Sequence, residues 1–148
     1  MKLYHVYNRG NHKERICFNS NDLHVLKKMF LNTFGSSRKA SLVLLCIMPN
    51  HFHLLVAVER REYLSVWMRD IGRDYTTYMN RRYGLVGRIF QGPYQKIVVG
   101  DFIYFRTLVQ YMRDNPKSLL SSKHLSYLVE NRILIEYYDF LLSTSTSP

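Results

Sequence analysis

Residues 42–48 are all apolar, Pro49-Asn50 follows them, and a second apolar-rich run extends over residues 51–58. Seven residues fall far short of the ~18–20 needed to span a bilayer, and the length suits a buried strand. Proline fixes its own φ and asparagine tolerates tight turns, so the pair between two such runs predicts a β-hairpin, residues 40–48 joined to residues 51–58. Most of the chain must therefore be arranged around a strand pair in the interior.

The flanking periodicities supply the rest of a sheet. Residues 3–8 read as a strand. Asn19-Ser20-Asn21-Asp22 offers N-cap chemistry ahead of Leu23, Leu26, Phe30 and Phe34 at helical spacing, and Gly35-Ser36-Ser37 ends that helix. Leu64, Met68, Ile71, Tyr75 and Tyr78 form one stripe of a long helix that reaches about Arg82 before Gly84 and Gly87; Tyr75 and Tyr78 read as core packing. Residues 94–99 predict a strand, Asp101 caps a helix with Phe105, Leu108, Val109 and Met112 on its apolar face, and Pro116 closes it. Residues 123–142 read as helical from Leu125, Leu128, Val129, Ile133, Tyr137 and Leu141, and residues 143–148 as a frayed tail. This order predicts an α+β fold: a ferredoxin-like antiparallel sheet in βαββαβ order, with helices on one face and an additional C-terminal helical segment. At 148 residues a single domain over residues 1–142 is expected, with no internal repeat.

Charge speaks to partners. Lys and Arg outnumber Asp and Glu by 21 to 11, a net +10, and the twelve tyrosines include Tyr75 beside Arg73 and Tyr83 beside Arg81-Arg82. Cations interleaved with aromatic faces suit single-stranded nucleic acid, the alternative being a solvated basic surface without function. The N-terminus enters patterned structure without the apolar core of a signal peptide, so a cytoplasmic location is expected, and no segment predicts a membrane span. Cys17 and Cys46 lie beside apolar residues and read as buried packing residues. No glycine-rich phosphate loop is present, so no nucleotide cofactor is expected.

His51 and His53 are two apart on a predicted strand and so share a face, with Cβ atoms about 6–7 Å apart, close enough to hold one divalent cation. Two unrelated histidines on a sheet surface would show the same spacing. On the helix opened by Asp101, Tyr111 and Asn115 are four apart and stack on one face, continued towards the N-terminus by Leu108 and Tyr104. A hydroxyl and an amide oxygen are thus paired, although a tyrosine near a helix end is commonly an amphipathic packing residue.

Five segments taken together carry a resemblance: Asn8-Arg9-Gly10-Asn11; Met48-Pro49-Asn50-His51-Phe52-His53-Leu54-Leu55; Tyr75-Thr76-Thr77-Tyr78-Met79-Asn80; Gly87-Arg88-Ile89-Phe90-Gln91; and Tyr111-Met112-Arg113-Asp114-Asn115-Pro116. In this order, over roughly residues 3–120, the chain resembles the single-tyrosine HUH transposases, and among them the REP-associated tyrosine transposases. The resemblance implies a metal-dependent single-stranded DNA endonuclease and strand transferase. His51, His53 and Asn115 would be the metal ligands and Tyr111 the nucleophile that forms a 5′-phosphotyrosyl intermediate. A phosphoryl-transfer site with an amide ligand suits Mg²⁺ or Mn²⁺ better than zinc. The implied partners are DNA with hairpin ends and a second copy of the chain in a homodimer.

Asn8 and Arg9, beside the histidine strand, are expected to touch bases or phosphates near the cleavage site. Arg73, Arg81, Arg82, Arg88 and Lys96, with Gln91 and Tyr94, are candidates for backbone contacts to a hairpin end, a solvated helix face being the alternative for each arginine. The chain departs from the family pattern at Pro93, where arginine is usual, and at Met112, where an aliphatic residue is common. His5 is expected to line the sheet near the site, and His12, His24 and His124 to lie on the surface. Two rival readings keep the same residues: a non-catalytic single-stranded nucleic-acid-binding module, and a nuclease that uses activated water with Tyr111 merely structural.

Overall fold

The computed structural model describes residues 1–115 and 127–145. Its elements are β1 (Lys2–Arg9), a 3₁₀ turn (Asn11–Lys13), α1 (Ser20–Gly35), β2 (Ala40–Met48), β3 (His51–Val58), α2 (Arg61–Tyr83), β4 (Gln95–Val98), α3 (Phe102–Asp114), β5 (Tyr127–Glu130) and α4 (Arg132–Ser145). The strands form one antiparallel sheet in the order β4-β1-β3-β2-β5. The first four strands therefore follow the split βαβ arrangement expected of a ferredoxin-like sheet. The predicted hairpin lies at its centre, because β3 has paired neighbours on both sides.

Local chemistry sets the helix ends as the sequence indicates. Asn19 and Asp22 form a reciprocal capping box at the start of α1. Gly84, left-handed at φ 63°, closes α2, and its N–H donates to the Asn80 carbonyl. The Asp101 carboxylate accepts from the Ile103 and Tyr104 N–H groups at the start of α3.

Strand alternation divides the apolar residues between two layers. Phe52, Leu54, Val56 and Val58 of β3 join a core with α1 and α2 that also includes Phe30 and fully buried Tyr75; Tyr78 packs at its edge. Leu55 and Ala57 belong to a second core with Phe105, Leu108 and Met112 of α3 and with Tyr138 of α4. The two helices of the repeat thus share one face as expected, while α3 and α4 cover the opposite face, a layer the expectation of helices on one face did not include. A bulge between Leu42 and Leu44 lets neighbouring Val43 and Leu44 both enter this second core.

Part of the C-terminal reading needs correction. Residues 127–130, expected to be helical, form β5 and pair with residues 44–47 of β2. The following α4 continues through Ser145, so residues 143–145 belong to a helix rather than a frayed tail. Pro116, His124, Leu125 and residues 146–148 lie outside the described residues. Cys17 and Cys46 are free and buried, and burial pushes their thiols up to about 11 and about 12. Among the described residues no helix is long and apolar enough to cross a membrane.

Candidate active site

The hairpin tip is fixed before any side chain is considered. The Pro49 carbonyl accepts from the Ile16 and Cys17 N–H groups, and the Asn50 carbonyl from Gly10 N–H at 2.8 Å. Gly10 has to be glycine: a Cβ there would lie 1.9 Å from the Glu14 carbonyl oxygen. The residues that follow the turn, His51 and His53, face α3, with ring centroids 5.2 Å apart. Phe52 between them turns into the other core, as strand alternation predicts.

Helix α3 brings its own residues to that face. The Tyr111 ring meets the His53 ring edge-on at a centroid distance of 5.3 Å, yet Tyr111 remains 51% exposed and accessible to a large substrate. One turn later the Asn115 side-chain amide lies 3.4 Å from His51 Nε2. Two residues separated by about sixty positions in sequence from the histidines therefore converge on them because four apolar side chains of α3 dock on the sheet.

Both imidazoles use Nδ1 for structural bonds. His51 Nδ1 donates to Asn50 Oδ1 at 2.7 Å, which leaves Nε2 with its lone pair. His53 Nδ1 meets His5 Nε2 at 2.9 Å, and His5 Nδ1 meets the Tyr104 hydroxyl at 2.8 Å. Burial disfavours the charged imidazolium: it lowers His53 to about 3, with further lowering by His5 and His51, and it lowers His5 to about 4 and also depresses His51. All three are therefore neutral at pH 7. Two neutral nitrogens and an amide whose oxygen is a half-turn of the side chain away form a donor set that fits one divalent cation and leaves positions for phosphate and water.

The expected DNA-contacting residues separate into groups. Asn8, Arg9 and Gln91 gather around His51: Arg9 pairs with His51 across β1 and β3, its guanidinium meets Gln91 Oε1, and Asn8 Nδ2 donates to the Gly92 carbonyl. A cavity of about 550 Å³ is lined there by Tyr7, Arg9, His51, His53 and Gln91. Arg73, Arg88 and Tyr94 line a neighbouring cavity of about 600 Å³ against α2, and Asn8, Phe52, Gly92 and Pro93 border both cavities. Pro93 thus stands at the junction. Lys96 is exposed on the edge strand β4.

Arg81 and Arg82 line a separate depression near the C-terminus of α2, on the helix layer opposite the histidines. Arg82 lies 3.6 Å from Asp22, a buried carboxylate that also accepts from the Tyr78 and Tyr83 hydroxyls. Its guanidinium is therefore engaged in the fold. Arg73 is similarly paired with Asp70 and Asp74 at the surface. Sequence spacing did not reveal the roles of Asn50 and Tyr104, and it placed His5 near the site without a partner. His12 and His24 are exposed, as expected.

The family model for IS200-like transposases matches residues 2–115, from the first strand to the last ligand candidate. The chain belongs to this transposase family. A solved REP-associated tyrosine transposase bound to a REP hairpin has the same fold, at a TM-score of 0.61 and 15% identity over 80% of this chain and 69% of that one. A candidate transposase from Deinococcus radiodurans R1 is also similar, with a TM-score of 0.52 and 17% identity over 76% of this chain and 88% of that one. No curated protein matches the sequence. Within this IS200-like transposase, the matched span contains β1, the histidine hairpin and all of α3.

Proposed function

We propose that this transposase cleaves and rejoins single-stranded DNA through Tyr111, with His51, His53 and Asn115 holding a divalent cation. The observation that carries the reading is the convergence of two imidazoles on β3 with Tyr111 and Asn115 on α3. A bound Mg²⁺ or Mn²⁺ would supply positive charge at a nonbridging phosphate oxygen. The protein's own part is positional. The exposed Tyr111 hydroxyl gives up its proton and its oxygen attacks phosphorus; the phosphorus–O3′ bond breaks, and the departing 3′-oxygen takes up a proton. The products are a 5′-phosphotyrosyl link and a free 3′-hydroxyl. Because the link conserves the phosphoester bond, attack by another strand's 3′-hydroxyl can reverse the step at a new junction without a nucleotide cofactor.

DNA with a hairpin end is the proposed substrate, entering beside Asn8, Arg9 and Gln91 and continuing along the cavity lined by Arg73, Arg88 and Tyr94. Lys96, on the neighbouring edge, adds charge for the backbone, whereas Arg82 is better assigned to its ion pair with Asp22. Arg81 remains available for a phosphate at the far end of α2. A homodimer is supported by the β4 edge, where Ile97 and Val98 are exposed and followed by exposed Ile103.

Incubation of the purified protein with labelled hairpin DNA from its own genomic flanks, with Mg²⁺ or Mn²⁺, should give a covalent protein–DNA band that is absent in Tyr111→Phe. Cleavage without a band that survives in Tyr111→Phe would replace this mechanism with hydrolysis by water. Binding without cleavage would leave a DNA-binding protein.

A further inference from the structure

The two ligand imidazoles are oriented by different means. His51 Nδ1 faces an amide oxygen, Asn50 Oδ1, which can only accept, so the proton of His51 has one place to be. His53 Nδ1 faces a third imidazole, His5 Nε2, at 2.9 Å, and that bond can run either way. Beyond it, His5 Nδ1 faces the Tyr104 hydroxyl at 2.8 Å, which can donate or accept.

Only two arrangements satisfy the whole chain of neutral groups. In one, Tyr104 donates to His5, His5 donates to His53, and the His53 proton sits on Nε2, where it blocks ligation. In the other, His53 Nδ1–H donates to His5 Nε2, His5 Nδ1–H donates to the Tyr104 oxygen, and His53 Nε2 carries a lone pair. Each group keeps one proton in both arrangements. Reversal takes a proton from water at one end of the chain and returns one at the other.

We propose that His5 and Tyr104 are positioning residues that set the tautomer of His53 and thereby its capacity to hold a cation. The placement is specific. His5 is 7% exposed and lies diagonally across the β1–β3 ladder from His53, among sheet positions otherwise filled by Leu3 and Leu55. A buried imidazole there is costly unless both nitrogens are bonded, and both are. Tyr7 stacks on the His5 ring at a centroid distance of 4.8 Å and holds it in plane. Tyr104 lies on α3, seven residues before Tyr111, so the same chain of bonds joins the ligand strand to the helix that carries the nucleophile. A ligand histidine whose second nitrogen loses its partner typically loses metal affinity by roughly 10–100-fold.

This inference rests on the proposed metal role of His53, and the test separates the two. Mn²⁺ binding to the full chain without DNA, followed by electron paramagnetic resonance, should weaken by about 10–100-fold in His5→Ala and by less in Tyr104→Phe, while His5→Gln, which retains an acceptor oxygen, recovers part of the loss. Metal-free ¹⁵N spectra of labelled imidazoles at pH 7 should show a substantial Nδ1–H population of His53 in the wild type and a shift towards Nε2–H in His5→Ala and Tyr104→Phe. An unchanged His53 tautomer in both variants would overturn the proposal, as would unchanged Mn²⁺ affinity in both. If His53→Ala binds Mn²⁺ as well as the wild type, the metal role itself fails, and the tautomer spectra still decide whether His5 and Tyr104 orient His53.

Discussion

Replacing Asp22 tests the idea that the α1–α2 layer is fastened by a buried carboxylate and independent of the histidine face. Asp22 is 0% exposed and accepts from the Phe18 N–H (2.9 Å), the Tyr78 hydroxyl (2.8 Å) and the Tyr83 hydroxyl (2.6 Å). It also completes the capping box with Asn19. A hydrogen bond to a charged group contributes about 1.5–3 kcal/mol, and loss of a cap costs about 1 kcal/mol. The two tyrosines are partly exposed and recover part of their loss by turning to water, and the Arg82 pair, 40% exposed at its arginine side chain, adds little. Asp22→Ala should therefore destabilise the protein by about 3–5 kcal/mol, a large share of the 5–15 kcal/mol typical of a domain. Urea unfolding followed by fluorescence of the single tryptophan, Trp67 on α2, reads this as a midpoint lowered by roughly 2 M. Asp22→Asn, which keeps shape and one acceptor, should fall between. A loss below about 1 kcal/mol would refute the reasoning and show that the tyrosines and the helix N-terminus are satisfied without the carboxylate.

Further outcomes follow from other contacts. Gly10→Ala, which sets a Cβ against the Glu14 carbonyl, should cost about 1–3 kcal/mol in urea unfolding and weaken Mn²⁺ binding by loosening the hairpin tip. Tyr111→Phe should leave stability within about 0.5 kcal/mol, since the ring is half-exposed, while abolishing the covalent DNA adduct. Arg113 holds the Glu130 carboxyl below the usual glutamate value. Stability from this link between α3 and β5 is present above the unfolded pKa of about 4.3 and disappears as pH falls through the lower folded value, so Glu130→Gln should flatten the acid limb of a thermal-melt pH profile. Cys46, raised to about 12 by burial, should react with a thiol reagent only as fast as the protein opens.

The sequence was most readable where one period ran long enough to dominate. The alternation around His51 and His53 and the i, i+4 relation of Tyr111 and Asn115 each placed a pair on the correct face of its element. Neither period could say that the two pairs would meet, because that depends on α3 lying over the second face of the sheet. In residues 127–130, Leu128 and Val129 fit a helical stripe as well as a strand, and pairing with the β2 edge overrides the local pattern. The bulge at Val43 lies inside a continuous apolar run, where no polar residue marks the slip in alternation. His5 and Tyr104 are separated by 99 residues, beyond the reach of any local pattern. The Arg82–Asp22 pair joins two different helices and so leaves no local sequence signature.

One rod carries three of the groups that meet at the sheet. Tyr104, Tyr111 and Asn115 follow the same side of α3, fastened beneath by Phe105, Leu108, Val109 and Met112. Because one helix carries them, the spacing between the Tyr111 hydroxyl and the Asn115 amide is set within α3 itself. The packing of α3 on the sheet thus sets the distance of all three groups from the two histidines at once.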